Sequence, residues 1–291
     1  MTADAGAVEP ARAKVNLFLH VVGRRADGYH ELESLAVFPG IGDLVRAVPA
    51  PRLTLDIEGP FAEGLSAGED NLVLRAASAL GAATPGRPAA ALRLVKRLPV
   101  AAGLGGGSAD SGAVLRVLAR IWPDAPVAAL PEIAARLGAD APVCLASEPA
   151  LMAGAGERLT PAPGFRGFWV VLVNPMQPLS TAEVFAGLEQ RERPDMTPPP
   201  DLADFDALTG WLAGLRNDLE EPARRLRPTI GEALAALSSA PACRLARMSG
   251  SGATCFGMFE TGAQAAVAAK QIGAARRGWW VVAAPVERWK G

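Results

Sequence analysis

Six consecutive residues, Gly103-Leu104-Gly105-Gly106-Gly107-Ser108, constrain this chain more than any other stretch. Four of them lack a Cβ. They come after a strand pattern over residues 91–96 and the dipeptide Leu98-Pro99. They precede a helical stripe formed by Val114, Leu115, Leu118, Ile121 and Trp122. Main-chain N–H groups in such a run approach an anion with no side chain in the way, and the helix behind it adds the positive end of its dipole. Ser108 is predicted to cap that helix. The same residues also suit a flexible turn, but their density at a strand-to-helix junction favours a phosphate cradle.

The residues after the glycines exclude two common phosphate loops. A Walker A loop needs Lys and then Ser or Thr after its last glycine, and Gly107 is succeeded by Ser108 and Ala109. A dinucleotide fold needs an acid about 20 residues on at a strand end, whereas Asp124 lies in the turn WPDAP after the helix. Other chemistries fail by count. With only His20 and His30, no HExxH metal site can form, and neither Ser108 nor Ser251 is centred in GxSxG. Cys144, Cys243 and Cys255 contain no CxxC pair and read as reduced, mostly buried thiols.

Lys plus Arg number 29 against 30 Asp plus Glu, with no basic block, so neither nucleic acid nor an anionic membrane surface is expected as a partner. The longest uncharged run, residues 167–182, is broken by Asn174, Pro175 and Pro178 and is too short to cross a bilayer. The opening MTADAGAVEP has no basic or apolar targeting region, and a cytoplasmic location is expected.

A length of 291 residues, about twice the single-domain prior, accommodates two lobes. Residues 14–22 alternate as a strand, with Val15, Leu17, Leu19 and Val21 on a core-like face and Lys14, Asn16, Phe18 and His20 on the other. Short strand patterns recur at 35–38, 44–48 and 53–57, and Asn71 is predicted to cap a helix reaching Leu80. A second helix over 127–137 is closed by Gly138, with Asp140 on its exit loop. A strand is read at 168–173, a linker or surface loop at 191–200 and helical patterns over 207–237. The tail reads as strand (244–248), glycine turn SGSGA, strand (254–259), helix (263–272) and strand (279–283). The fold class is α+β.

Several single residues stay ambiguous on their own terms. Lys14 and Asn16 share a strand face, where a lysine ordinarily points to water. Asp140 fits a solvated or capping carboxylate as well as a base. Tyr29 and His30 could stack on a planar ring or fill a turn, and SGSGA serves equally as a hairpin turn.

The order of these pieces, a strand lysine, then PVAAGLGGGS, then LGADAPV, then MSGSGATCF, resembles the GHMP family of small-molecule kinases over most of the chain. The opening AKVNLFLHVVGRRADGYHELES is similar to the branch acting on a cytidine-diphosphate-linked methylerythritol in non-mevalonate isoprenoid synthesis; a mevalonate or homoserine kinase-like activity is the alternative. The resemblance implies a two-lobed α+β fold, with an N-terminal lobe over residues 1–160 and a C-terminal lobe over 161–291. It implies ATP and Mg2+ as cofactors, a small-molecule substrate, and a monomer or homodimer.

By motif position the resemblance makes Asp140 the base and Lys14 its electrostatic partner. Pro99, Val100, Ala101, Ala102, Gly103, Leu104, Gly105, Gly106, Gly107, Ser108 and Ala109 become the ATP phosphate loop, with Asn71 near the adenine or ribose. Asn16, Tyr29 and His30 fall near the cytidine end, joined by Thr181 and Phe185. Ala109 stands where the family has a variable second serine, which leaves Ser108 and the phosphates to meet magnesium.

Overall fold

The computed structural model describes residues 6–26, 28, 30–189, 202 and 204–291. Its strands are β1 (Ala7–Arg12), β2 (Val15–Arg24), β3 (His30–Val37), β4 (Gly42–Ala50), β5 (Thr54–Glu58), β6 (Ala89–Val95), β7 (Ala150–Gly154), β8 (Arg158–Pro161), β9 (Phe168–Asn174), β10 (Leu245–Met248), β11 (Cys255–Phe259) and β12 (Trp280–Val286). The helices are α1 (Leu72–Ala83), α2 (Gly106–Ile121), α3 (Leu130–Leu137), α4 (Ala141–Ala146), α5 (Thr181–Ala186), α6 (Phe205–Ala213), α7 (Glu220–Leu226), α8 (Thr229–Ser238) and α9 (Gly262–Ala275).

Two compact units share the chain in alternation: Met1–Ala13, Gly42–Val100 and Gly105–Glu148 form the first, and Lys14–Ile41, Ala101–Leu104 and Pro149–Gly291 the second. The units are therefore not contiguous halves, and the β2–β3 hairpin, expected in the first lobe, packs within the second unit.

In the first unit a sheet in the order β1-β4-β6-β5 is antiparallel except for the β5–β6 pair. Its inward residues alternate as the pleat requires: Leu92 and Leu94 are buried on β6, while Ala91 and Arg93 are exposed. Helix α2 covers this sheet at β1 and β4 and also packs on α1 and α4. Val114, Leu115, Leu118 and Trp122 of its predicted stripe are all buried, each worth about 1.5–3 kcal/mol for a large apolar side chain. Helix α1 begins as expected, with Asn71 Oδ1 accepting from Val73 N at 2.9 Å. Before α3, residues Val127–Ala129 form a 3₁₀ turn, so the helix starts later than the apolar pattern suggested.

The second unit holds two antiparallel sheets, β2-β3-β7-β8 and β10-β11-β9-β12. Its core includes Leu19, Val171, Val173, Val184, Ile230, Leu237, Met248, Phe259 and Ile272. Strand β2 departs from its sequence reading. Residues Val15 to His20 are buried on both faces, because Phe18 packs edge-on against Trp211 of α6 and residues 216–218 run beside the strand at Leu19. The helical patterns over 207–237 are the three helices α6, α7 and α8, and Pro228 turns the chain out of helix at Arg227, with ψ of 88°. The linker reading at 191–200 lies outside the described residues.

Candidate active site

In the first unit, α2 begins at Gly106 because Gly105 adopts the left-handed conformation, with φ of 61°, and turns the chain there. Ser108 is consequently the third residue of the helix and not its cap, which corrects the sequence reading. Gly105 offers no capping side chain, so the first-turn N–H groups stay available to an anion.

Beneath that turn lies a buried triad. Lys96 Nζ donates to Asp110 Oδ2 at 2.7 Å and to Asp43 Oδ2. The other oxygen of Asp43 accepts from Arg97 N at 2.5 Å and Leu98 N at 2.8 Å. Burial pushes the Asp110 carboxyl up to about 8, against the pull of Lys96 and with the push of Asp43. For Lys96, burial favours the neutral amine, yet the two carboxylates outweigh it and hold the ammonium above its ordinary value. The triad ties β4, the segment leading into the glycine loop and the start of α2 into one piece. On that segment Pro99 is buried, while Val100 is 53% exposed.

Asp140 stands at the start of α4, half-buried, with its carbonyl accepting from Cys144 N at 3.0 Å. Two contacts fix α4 on α2. A Cβ at Gly112 would lie 2.7 Å from the carbonyl oxygen of Cys144, so only glycine permits this approach. Arg116 Nη1 donates to Cys144 O at 2.7 Å and Leu145 O at 2.9 Å, while its Nε pairs with Glu9 at 2.7 Å. Both the Asp140 segment and the loop's helical end are thereby anchored to α2.

In the second unit, the strand lysine, the glycine loop and the SGSGA turn meet. Lys14 N donates to Leu104 O at 2.9 Å, and Thr254 N to Ala102 O at 3.1 Å. Ser249 Oγ donates to Gly103 O at 3.0 Å and accepts from Asn16 N at 3.2 Å. Gly103 has φ of +72°, and a Cβ there would strike Ser249 O at 2.5 Å and Gly252 O at 2.7 Å. The SGSGA turn is thus a fitted surface for the loop as well as a hairpin connection. Lys14 and Asn16 are 4% and 2% exposed, which sets aside the solvent-pointing reading of the lysine. Asn16 Nδ2 donates to Ser34 Oγ at 2.7 Å, and its buried Oδ1 has no partner.

His30 lies at the other end of the same ladder, opposite Arg24, whereas Asn16 pairs with Ala36. Asn16 therefore sits at the glycine turn and not beside His30, as the resemblance had grouped them. The His30 ring stacks on Phe185, with centroids 4.8 Å apart and planes 24° apart. Burial and then Arg24 lower the pKa of His30, so the imidazole is neutral at pH 7. A cavity of about 410 Å³ opens here, lined by Val21, Arg24, His30, Leu188 and Asp218 among others. Helix α5 links the two ends: Thr181 Oγ1 bonds Ser251 Oγ at 2.8 Å, and Phe185, one turn later, faces His30. Tyr29 lies outside the described residues.

Sequence reasoning missed Lys96 and Asp43, whose spacing of 53 residues carries no local signal. It also missed Asn217, whose Nδ2 donates to Met248 O at 2.9 Å and Gly250 O at 2.8 Å. Among the described residues no group of three or more His, Cys, Asp or Glu could hold a metal ion.

Comparison with known proteins places this arrangement in a class. The family of the GHMP kinases N terminal domain matches residues 71–148, and that of the GHMP kinases C terminal matches 197–276. The chain belongs to the GHMP kinases, a family that uses ATP as phosphate donor, and its α+β fold is the one expected. Within that class it is similar to the 4-diphosphocytidyl-2-C-methyl-D-erythritol kinase of Paramagnetospirillum magneticum, 51% identical over 280 residues that cover 94% of this chain and 96% of the relative. The protein of the same name from Paracoccus denitrificans is 52% identical over 276 residues, covering 94% and 95%. A crystal structure of 4-(cytidine 5'-diphospho)-2C-methyl-D-erythritol kinase superposes with a TM-score of 0.77 at 35% identity, covering 96% and 99%. A homoserine kinase from Cytophaga hutchinsonii shares the fold, with a TM-score of 0.72 at 16% identity.

Proposed function

We propose that this chain transfers the γ-phosphoryl group of ATP to the 2-hydroxyl of 4-diphosphocytidyl-2-C-methyl-D-erythritol, giving the 2-phosphate. The observation that carries the reading is the likeness to kinases of that name at about half identity across nearly the whole of both chains. The stacked His30–Phe185 pair supports it, because a flat aromatic face suits a nucleobase, which neither mevalonate nor homoserine possesses.

In this reading the glycine loop from Pro99 to Ala109 holds the triphosphate through main-chain N–H groups and the positive end of α2. Asn71 lies toward the adenine or ribose, and His30, Thr181 and Phe185 toward the cytidine end, with Asn16 buried at the glycine turn. A tertiary alcohol is a weak nucleophile at neutral pH. Asp140 takes its proton as the O–P bond forms, and Lys14 supplies the positive charge that favours the ionised carboxylate. Magnesium, when bound, neutralises phosphate charge. Ser108 Oγ, in the first turn of α2, would be the protein ligand of an ion carried in on the triphosphate. The enzyme works as a cytoplasmic protein, a monomer or homodimer, on a small molecule.

The test is ADP release with Mg-ATP and each of three alcohols. Release with the cytidine-linked alcohol alone supports the reading, and equal turnover of mevalonate or homoserine defeats it. Asp140→Asn lowers kcat by about 10²-fold or more with ATP binding retained, as removal of a general base requires. A near-normal rate removes that role.

A further inference from the structure

We propose that Asn217 is a positioning residue that clamps the SGSGA turn onto the phosphate loop. The inference rests on the assignment of that loop to ATP. Residues 216–218 run beside β2: Leu19 N donates to Arg216 O at 3.0 Å and Asp218 N to Leu19 O at 2.8 Å. This short parallel bridge presents Asn217, 6% exposed, to the glycine turn. Its amide is fully used. Nδ2 bonds Met248 O and Gly250 O on either side of Ser249, and Oδ1 accepts from Leu219 N at 2.9 Å. Ser249 in turn holds Gly103 O, and a Cβ on Gly250 would lie 3.1 Å from that same carbonyl.

Asn217 thereby reaches the loop through two successive hydrogen-bonded steps without touching it. Its loss is costly: the two carbonyls it satisfies lie in a buried turn, and buried acceptors left unpaired cost their full desolvation. Asp218, the next residue, accepts from Val21 N at 2.8 Å and lines the cavity by His30, so the clamp and the acceptor end are set by adjacent residues but remain separable by mutation.

The experiment compares the full-length chain with Asn217→Ala, Asn217→Asp, Asn217→Ser, Ser249→Ala and the double variant Asn217→Ser/Ser249→Ala. It measures KM for ATP, KM for the alcohol, the Kd for ADP by calorimetry and thermal melting. Asn217→Ala is expected to raise KM for ATP and Kd for ADP about tenfold while KM for the alcohol stays within about threefold. Asn217→Asp, of the same shape without the donor, behaves as Ala does; Asn217→Ser, which keeps one donor, recovers part of the loss and serves if Ala does not fold. The double variant falls short of the sum of its parts, because both residues act through one turn. Unchanged nucleotide affinity in a folded variant, equal rises in both KM values, or full additivity overturns the proposal. Wild-type chain that binds ADP yet phosphorylates none of the alcohols refutes the acceptor assignment and leaves the clamp judged by Kd for ADP; failure to bind ADP overturns both.

Discussion

Gly112→Ala tests how Asp140 is held. Gly112 and Gly273 both occupy helix interiors, in α2 and α9, where alanine is favoured by about 1 kcal/mol. A Cβ at 273 meets nothing within 4 Å, whereas at 112 it lies 2.7 Å from Cys144 O, 2.8 Å from Cys144 C and 2.9 Å from Leu145 N. These obstacles are main-chain atoms and cannot rotate away, so α4 must shift, at an overpacking cost of about 1–3 kcal/mol. Gly273→Ala is therefore expected to stabilise by about 1 kcal/mol. Gly112→Ala falls between no change and about 2 kcal/mol of destabilisation, leaving a difference of about 1–3 kcal/mol between the two. Because Asp140 immediately precedes α4, displacement of that helix also lowers kcat by about tenfold or more. Urea denaturation monitored by tryptophan fluorescence, with kcat measured on the same preparations, reads both quantities. If Gly112→Ala is as stable as Gly273→Ala, or keeps full kcat, the close approach of α4 to α2 is not what places Asp140.

Asn71→Ala loses the side-chain cap of α1 and costs about 1 kcal/mol in urea, while Asn71→Asp, still able to accept from Val73 N, stays within a few tenths. His30→Ala removes the stacking partner of Phe185 and raises KM for the alcohol about tenfold with KM for ATP unchanged. His20 is buried and accepts from Arg216 N at 3.3 Å through Nε2, and burial, outweighing Asp218, lowers its pKa. The unfolded chain binds a proton near pH 6.5 that the folded chain refuses, so stability is lost as pH falls through that value. His20→Gln makes the denaturation midpoint less dependent on pH between about 5 and 7, the remaining slope combining His30, whose pKa is also lowered, with the opposite contribution of Asp110, whose pKa is raised.

The elements with strong local signals were legible. Asn71 caps α1, the stripe from Val114 to Trp122 is buried on α2, and β9 to β12 fall near their predicted places. The glycine loop was readable because glycine density at a strand-to-helix junction has few other uses. Ser108 was misread as the cap because a serine is the usual choice, and a left-handed Gly105 can turn the chain without one. The burial of Lys14 and Asn16 was hidden because it depends on Leu104 and on Ser249 and Gly250 of the SGSGA turn, the latter more than 200 positions away in sequence. Asn217 was invisible for the same reason: an asparagine between helical patterns reads as a turn residue, and only the fold brings it to Gly250. Strand β1 was overlooked because Glu9 and Pro10 break its apolar pattern, yet Glu9 is buried against Arg116 and Arg120.

The position of the transferred phosphate tests the central claim most directly. Phosphorus NMR of the product formed from Mg-ATP and the cytidine-linked alcohol should show one new monoester resonance beside an intact diphosphate, with carbon coupling that places it on the tertiary 2-carbon. A monoester on any other hydroxyl, or a product whose diphosphate has been cleaved or extended, would contradict the account.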